Sequence, residues 1–274
     1  RRGRRPLAML VSVIMAAFQA EATIGEAIGS VRAQAHGEWE LLVVDDGSTD
    51  GTAAVVRAAA AEDPRVRLIP SEHLGVLGAV RNVAIAQARG EVIALLDADD
   101  AWLPGKLAAQ VALLEARPEV GVVHTGAGLL VDGERRPGPP SAPPPGPLLA
   151  ALLRNNHVYS SSAALRKRLL DEHGAFDPDP GLTGSPDYEL WLRLAPHASF
   201  AYLPEELLLY RVHAGQMSGS RRRMELGALL ALEKAAARRP DLVAADRAGW
   251  LTAIGMRKCL AGEPGRGGRG TCAC

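Results

Sequence analysis

Val92-Ile93-Ala94-Leu95-Leu96-Asp97-Ala98-Asp99-Asp100 runs from five apolar residues straight into three carboxylates within four positions. A continuous apolar run reads as a strand buried on both faces, the kind found in parallel sheets. Open α/β sheets take ligands just beyond the carboxyl ends of such strands. Carboxylates crowded there repel one another unless a cation neutralises them, and hard divalent ions prefer oxygen ligands. Asp97 and Asp99 therefore suggest a divalent metal that in turn holds phosphate. Acids in this position can also cap the next helix or form a turn.

A second strand ends in the same way. Glu40-Leu41-Leu42-Val43-Val44 leads into Asp45-Asp46-Gly47-Ser48-Thr49-Asp50-Gly51. Asp50 is placed to cap a helix that starts near Thr52. Asp45 and Asp46 come earlier, at the strand tip, where no cap is needed. A carboxylate there can accept hydrogen bonds from a base N–H or from ribose hydroxyls. The glycine fingerprint of dinucleotide folds does not follow the first strand, and no P-loop motif occurs in the chain.

Outward from these tips, strand and helix patterns alternate, which predicts right-handed crossovers and a parallel sheet. Strands are expected near 9–16, 40–45, 66–69, 92–97 and 120–125, and helices near 21–35, 51–61, 76–88 and 104–116. The run from Leu7 to Phe18, preceded by Arg1, Arg2, Arg4 and Arg5, imitates a secretory signal. Ile24, Ile28 and Val31 then recur at helical spacing, which favours a first buried strand leading into an amphipathic helix. No apolar run reaches the ~18–20 residues that span a bilayer. Asp132 to Pro147 reads as a flexible Gly/Pro-rich connection. Beyond it come a helix near 148–153, a polar strand from Tyr159 to Leu165, a helix near 187–195 and a strand pair near 199–212. Two Ala-rich helices near 222–238 and 241–260 precede a Gly-rich stretch, 262–274, expected to be disordered.

The 274 residues suffice for one large α/β domain. With 31 basic and 31 acidic side chains, no global field favours nucleic acid or an anionic membrane. Cys259, Cys272 and Cys274 show no metal-ligand spacing and read as reduced thiols of a cytoplasmic protein.

Several ordered motifs together resemble glycosyltransferase family two. They are Val11-Ser12-Val13-Ile14-Met15, Val43 to Thr52, Ala88-Arg89-Gly90-Glu91 and Leu96 to Pro104, and the likeness runs from about Val11 to about Ser218. The resemblance implies an inverting, metal-dependent enzyme with a GT-A-type Rossmann-like sandwich, a mostly parallel central sheet flanked by helices. It implies one domain over 1–261, with a donor half at about 8–130, an acceptor half at about 148–218 and C-terminal helices at about 220–260.

The family likeness also assigns residues. Donor contacts fall on Ala17, Phe18, Asp45, Asp46, Arg81, Asn82, Asp97 and Ala98. Ala16, Phe18 and Gln19 depart from the family's usual segment after the first strand, and Phe18 can stack but cannot donate a hydroxyl hydrogen bond. Mg²⁺ or Mn²⁺ would be held mainly by Asp99, with Asp97 and with His213 of Tyr210-Arg211-Val212-His213; Asp100 is a secondary candidate. Asp187, in Pro186-Asp187-Tyr188-Glu189-Leu190-Trp191-Leu192-Arg193, takes the position of the general base. Pro186 stands where the family usually has Glu. At a helix start the macrodipole is expected to favour ionised Asp187 and to lower its basicity. Histidine, arginine and aspartate all have structural readings here too: a core side chain, a solvated charge and a helix cap.

The expected function is transfer of a sugar from a nucleotide-diphosphate sugar to a sugar or lipid-linked hydroxyl acceptor in bacterial cell-surface polysaccharide synthesis. Nucleic acid is excluded as a partner. The expected location is cytoplasmic, with peripheral association at the inner membrane face left open. A nucleotide-sugar-binding homologue without transfer activity and a nucleotidyltransferase of related fold are the alternatives. The nucleotide, sugar, acceptor and oligomeric state are not legible in the sequence.

Overall fold

The computed structural model describes residues 9–139, 142–143, 148–213, 215–216, 219–245 and 247–261. Val11–Ala17 (β1), Trp39–Asp46 (β2), Val66–Ser71 (β3) and Val92–Leu95 (β4) pair in parallel in the order β3-β2-β1-β4. Between them lie Ile24–Arg32 (α1), Thr52–Glu62 (α2) and Leu77–Ile85 (α3). Within the run that imitates a signal, Val11–Ala17 is therefore an inner strand, hydrogen-bonded on both edges. Alternate residues of β1 and β2 enter opposite layers. Val13, Met15, Leu41 and Val43 pack with Ile24, Ile28 and Val31, whereas Ile14, Leu42 and Val44 pack with Val80 and Ala84. Both layers are apolar, which is why these strands show no hydrophobic alternation.

Polar groups at the far end of this sheet are paired. Ser12 Oγ donates to Glu40 Oε1 at 2.7 Å and accepts from Gly90 N at 2.8 Å, while Arg89 N donates to the same Glu40 oxygen at 2.8 Å. A Cβ on Gly90 would lie 2.6 Å from Leu10 O and Ser12 N, so β4 can lie beside β1 only with glycine there. This accounts physically for Arg89-Gly90 as a motif.

The second half is mixed. Ala101–Trp102 (β5) and Lys106–Ala116 (α4) follow the acidic loop, and Val120–Val131 (β6) turns into Glu134–Arg136 (β7). Asp132 and Gly133 both have positive φ, +52° and +80°, as a tight hairpin turn requires. Part of the expected flexible connection is thus a hairpin; residues 140–141 and 144–147 lie outside the described residues. After Leu148–Leu152 (α5), the polar stretch expected as a strand forms a 3-10 turn at Ser160–Ser162 and then Ala164–Arg166 (β8). Ser162 Oγ donates back to Tyr159 O at 2.7 Å, a local bond that competes with a strand ladder.

β8 lies antiparallel between β4 and β6, so β6 does not extend the parallel series. Lys167–His173 (α6), which has no counterpart in the sequence reading, and Pro186–Leu194 (α7) come next. The expected strand pair near 199–212 is a single strand, Ser199–Val212 (β9), parallel to β6 and antiparallel to β5. Its register passes from Thr125↔Leu203 to Gly126↔Glu206 and skips Pro204 and Glu205. Proline has no N–H to give the ladder, so the strand bulges there instead of ending.

Arg221–Arg238 (α8), Pro240–Ala245 (α9) and Arg247–Ala261 (α10) close the chain, the last two replacing one expected helix. Glu189 of α7 is fully buried and is met by Arg193 at 3.0 Å and by Arg238 of α8. Cys259 lies half-buried on α10, and the 262–274 stretch, with Cys272 and Cys274, is outside the described residues. No helix among the described residues is long and apolar enough to cross a membrane.

Candidate active site

Because β1, β2 and β4 run in parallel, their tips gather at one edge. The register sets Ala17 opposite Asp45 and Asp46 opposite Ser71. Ala17 and Ala98 are buried, so a ligand could meet only their backbone. Gln19, with φ +50°, reaches across: its Oε1 accepts from Thr49 N at 2.9 Å and its Nε2 donates to Thr49 Oγ1 at 2.9 Å. The departure at Gln19 therefore serves the Ser48–Asp50 loop. Asp50 accepts from Thr52 N at 3.0 Å, but the cap position of α2 falls on Gly51, so Asp50 supports the turn before the helix and is not its cap.

Asp45 Oδ1 accepts from Ser48 N at 3.1 Å. Asp46 accepts from Leu74 N at 2.6 Å and from Gly75 N at 3.1 Å, one on each oxygen. His73 Nδ1 lies 2.9 Å from Asp46 O, and its ring stacks on Phe18 at 4.5 Å between centroids. Asp46 is thus the anchor of the 73–75 loop, and a ligand can reach only its remaining lone pairs. Phe18 is half exposed over His73, giving an aromatic platform at the sheet edge.

Across the edge, Arg81 of α3 is 2% exposed and donates from Nη2 to Asp97 Oδ1. Its Nη1 is buried with no hydrogen-bond partner among the described residues. The guanidinium also lies 5.0 Å from the Phe176 ring. Asp187 enters the same cluster from the start of α7, where Asn156 Nδ2 donates to its Oδ2 at 3.0 Å. Burial pushes the Asp187 carboxyl above the usual range, with Asp97 adding to the rise and Arg81 and Asn156 opposing it. The expected lowering by the helix dipole is overturned: desolvation outweighs it.

Asn82 Nδ2 donates to Phe176 O at 2.8 Å and its Oδ1 accepts from Phe176 N at 2.9 Å. Its amide clamps α3 to the segment before α7, with one Nδ2 hydrogen and one Oδ1 lone pair engaged. Asp100 is likewise turned inward, 2% exposed, with Oδ1 accepting from Arg211 N at 2.9 Å, whereas Asp97 and Asp99 are half-buried.

Asp99 faces His213, whose Nε2 is 3.0 Å from Asp99 Oδ2, while Arg211 Nε donates to Asp99 O at 2.6 Å. Burial raises the Asp99 carboxyl and Asp97 raises it further, with His213 opposing. Among the described residues no three His, Cys, Asp or Glu side chains form a ready-made metal cage. The adjacent carboxylate oxygen and imidazole nitrogen, with Asp97 nearby, instead suit an ion held mostly by substrate phosphate. His73, Asn156 and Arg211 were not assigned roles from sequence, although Arg211 lies in the Tyr210–His213 stretch.

Residues 12–174 match the family model described as Glycosyl transferase family 2. UDP-Glc:alpha-D-GlcNAc-diphosphoundecaprenol beta-1,3-glucosyltransferase WfgD of Escherichia coli is 41% identical over 105 residues, 38% of this chain and 41% of that protein. The chain spans less than half the length of the curated relatives it matches. S. aureus TarS in complex with UDP-GlcNAc superposes with TM-score 0.66 at 20% identity, over 92% of this chain and 82% of that one. The mannosyltransferase PcManGT from Pyrobaculum calidifontis, in complex with GDP-Man and Mn²⁺, gives 0.65 at 21%, over 93% and 74%. The architecture is the GT-A-type α/β fold, with its antiparallel joint at β8.

Proposed function

The chain belongs to glycosyl transferase family 2, and we propose that it moves a sugar from a nucleotide-diphosphate sugar to a hydroxyl acceptor with inversion at the anomeric carbon. The observation that carries this reading is the cluster of Arg81, Asp97 and Asp187: a buried guanidinium whose Nη1 is unpaired among the described residues, beside an acid whose proton affinity burial has raised. The free N–H of Arg81 is suited to an oxygen of the diphosphate or the transferred sugar, by a charge-assisted bond. Asp187 takes the proton of the acceptor hydroxyl as it attacks, and Asn156 holds the carboxyl oriented while it does so. One base and one displacement suffice, so no covalent enzyme nucleophile is required. Phe18 over His73 offers the nucleobase a face, with Asp45 and Asp46 shaping that end of the site.

The residues present fit a divalent ion. Asp99 and His213, with Asp97, would hold Mg²⁺ or Mn²⁺, which as a Lewis acid supplies neutralisation of the departing diphosphate. The GDP-Man and Mn²⁺ bound by PcManGT and the UDP-GlcNAc bound by TarS support a nucleotide-sugar donor. The diphosphoundecaprenol acceptor in the name of the E. coli relative supports a lipid-linked acceptor in cell-surface glycan synthesis. Such an acceptor goes with work at the inner face of the cell membrane, on donors from the cytoplasm. The test is nucleotide release from a panel of nucleotide sugars with Mn²⁺ or Mg²⁺, with and without chelator. Metal-stimulated release that rises with an added acceptor is expected. Binding of donor with no release under any condition would favour a silent homologue, and full activity in excess chelator would remove the metal.

A further inference from the structure

The segment from Asn156 to Ser162 touches both halves of the site. At one end, Asn156 donates to Asp187 at 3.0 Å and its own Oδ1 is fixed by Val158 N at 3.0 Å. Val158 O accepts from Trp191 Nε1 at 3.1 Å, which ties the segment to α7. At the other end, Ser161 Oγ accepts from Asp97 N at 3.1 Å, and Ser161 O accepts from Trp102 Nε1 at 2.7 Å. One short stretch therefore hydrogen-bonds the side chain of the candidate base and the backbone of the acidic loop.

Beneath it lies an unusual anchor. Gln110, fully buried in α4, donates from Nε2 to Ser162 O at 2.8 Å and to Val123 O at 3.0 Å. Its Oε1 accepts from Lys106 Nζ at 2.9 Å, one helical turn earlier. Lys106 is also fully buried; its Nζ sits 4.0 Å from the Trp102 ring centroid, and among the described residues no carboxylate pairs with it. Burial holds its ammonium well below the usual lysine range, favouring the uncharged amine. An amine with one hydrogen-bond acceptor inside a core is costly, and an apolar chain would pack there at less cost. What the amine adds is direction: by occupying Oε1 it turns the Gln110 amide so that both N–H bonds face the two carbonyls.

We propose that residues 156–162 act as one positioning strap that sets Asp187 and Asp97 relative to each other, with Lys106 and Gln110 as its internal anchor. The roles of the two acids rest on the function proposed above. Asn156, Ser161, Lys106 and Gln110 are positioning residues, and each acts through a different branch of the strap. Loss of Asn156 affects the base alone, loss of Ser161 affects the acidic loop alone, and loss of the anchor affects both.

The full chain carrying Asn156→Leu, Ser161→Ala, Lys106→Met or Gln110→Met separates these branches. Asn156→Leu is expected to lower kcat by about 10–100-fold with donor KM within about twofold, the range typical of partners that orient a reacting group. Ser161→Ala is expected to raise donor KM, leaving kcat nearly unchanged. Lys106→Met moves both, and adding it to Gln110→Met costs nothing further, since the amine acts on the strap only through the Gln110 amide. Hydrogen exchange provides a readout that needs no transfer activity. In Lys106→Met, or in Gln110→Met should the first fold poorly, exchange at Asp97 and at 160–163 rises while β1, β2 and β3 keep their protection. Unchanged exchange at Asp97, or an even rise across the sheet, overturns the strap. A parent chain that releases no nucleotide from any donor overturns the roles given to the acids, and the exchange pattern still decides whether the strap exists.

Discussion

The two sides of the sheet edge handle their polar groups in opposite ways. Around β1 and β2, Asp45, Asp46, Gln19 and Asp50 are bonded to backbone amides of neighbouring loops, and Phe18 lies open on His73. Around α3, α7 and the acidic loop, Arg81 keeps a buried Nη1 without a partner among the described residues, and burial raises Asp187 and Asp99. The first side resembles a finished scaffold, whose acids set the shape of a platform. The second holds groups whose hydrogen bonding and charge are left to be completed. Buried polar groups are normally paired, so those that are not mark where a ligand or a reaction is to be sought.

The contrast can be broken most directly at Asp187. Asp187→Asn keeps the shape and the Asn156 contact and removes the base, so turnover should fall ~10²–10⁴-fold with donor affinity nearly unchanged. Steady-state kinetics against donor and acceptor read both quantities; transfer at the parental rate would reduce Asp187 to a helix-start acid.

His124 on β6 tests the buried side by stability. It is 1% exposed with both ring nitrogens unpartnered among the described residues, and burial, with a smaller contribution from His157, lowers its pKa to about 4. The unfolded imidazole titrates near 6.5, so the folded state binds the proton less readily. Its contribution is fully present above that value and is lost as pH falls from 6.5 towards 4, by about 3 kcal/mol in all. Chemical denaturation across this window should show the loss in the parent and a shallower decline in His124→Leu. Parallel curves would mean that the ring finds a partner on protonation. Asp187 and Asp99 work with the opposite sign, since carboxyls whose pKa is raised by folding favour the folded state as they protonate.

On the platform side the effects are smaller. Asp46→Ala releases the 73–75 loop and should weaken nucleotide binding by about 1.5–3 kcal/mol, the worth of hydrogen bonds to a charged group. Calorimetric titration with nucleoside diphosphates measures it, and unchanged affinity for every nucleotide the parent binds would detach this loop from the donor site. Phe18→Ala should cost about 0.5–1.5 kcal/mol in the same titration, as for a lost aromatic stack, with kcat retained. A larger effect on kcat than on affinity would blur the division between platform and reacting cluster.

The parallel strands and their acidic tips were legible because a strand buried on both faces must be apolar throughout, so the switch to Asp at position 45 or 97 stands out. The short elements were not. β5 has two residues and β8 three, too few to show any period, and it is β8 that turns the sheet antiparallel. The stretch near 199–212 was expected as a strand pair, yet it is one strand, because the ladder with β6 skips Pro204 and Glu205 and resumes. Asn82 was not legible in the same way: adjacent to Arg81 in sequence, it bonds the Phe176 backbone because consecutive helix positions lie about 100° apart.

What the sequence by itself determined is the family, the order of the major strands and helices, and which acids end them, since burial and helical period leave a trace in every residue of a long element. Only the tertiary structure decided which of those acids are free. Asp46 is bonded to backbone from a residue 28 positions away, one oxygen of Asp100 to backbone 111 positions away, and Asp187 gains its raised proton affinity from burial and from charges on other elements. Local sequence does not encode desolvation or long-range hydrogen bonding, because both arise only when distant parts of the chain meet.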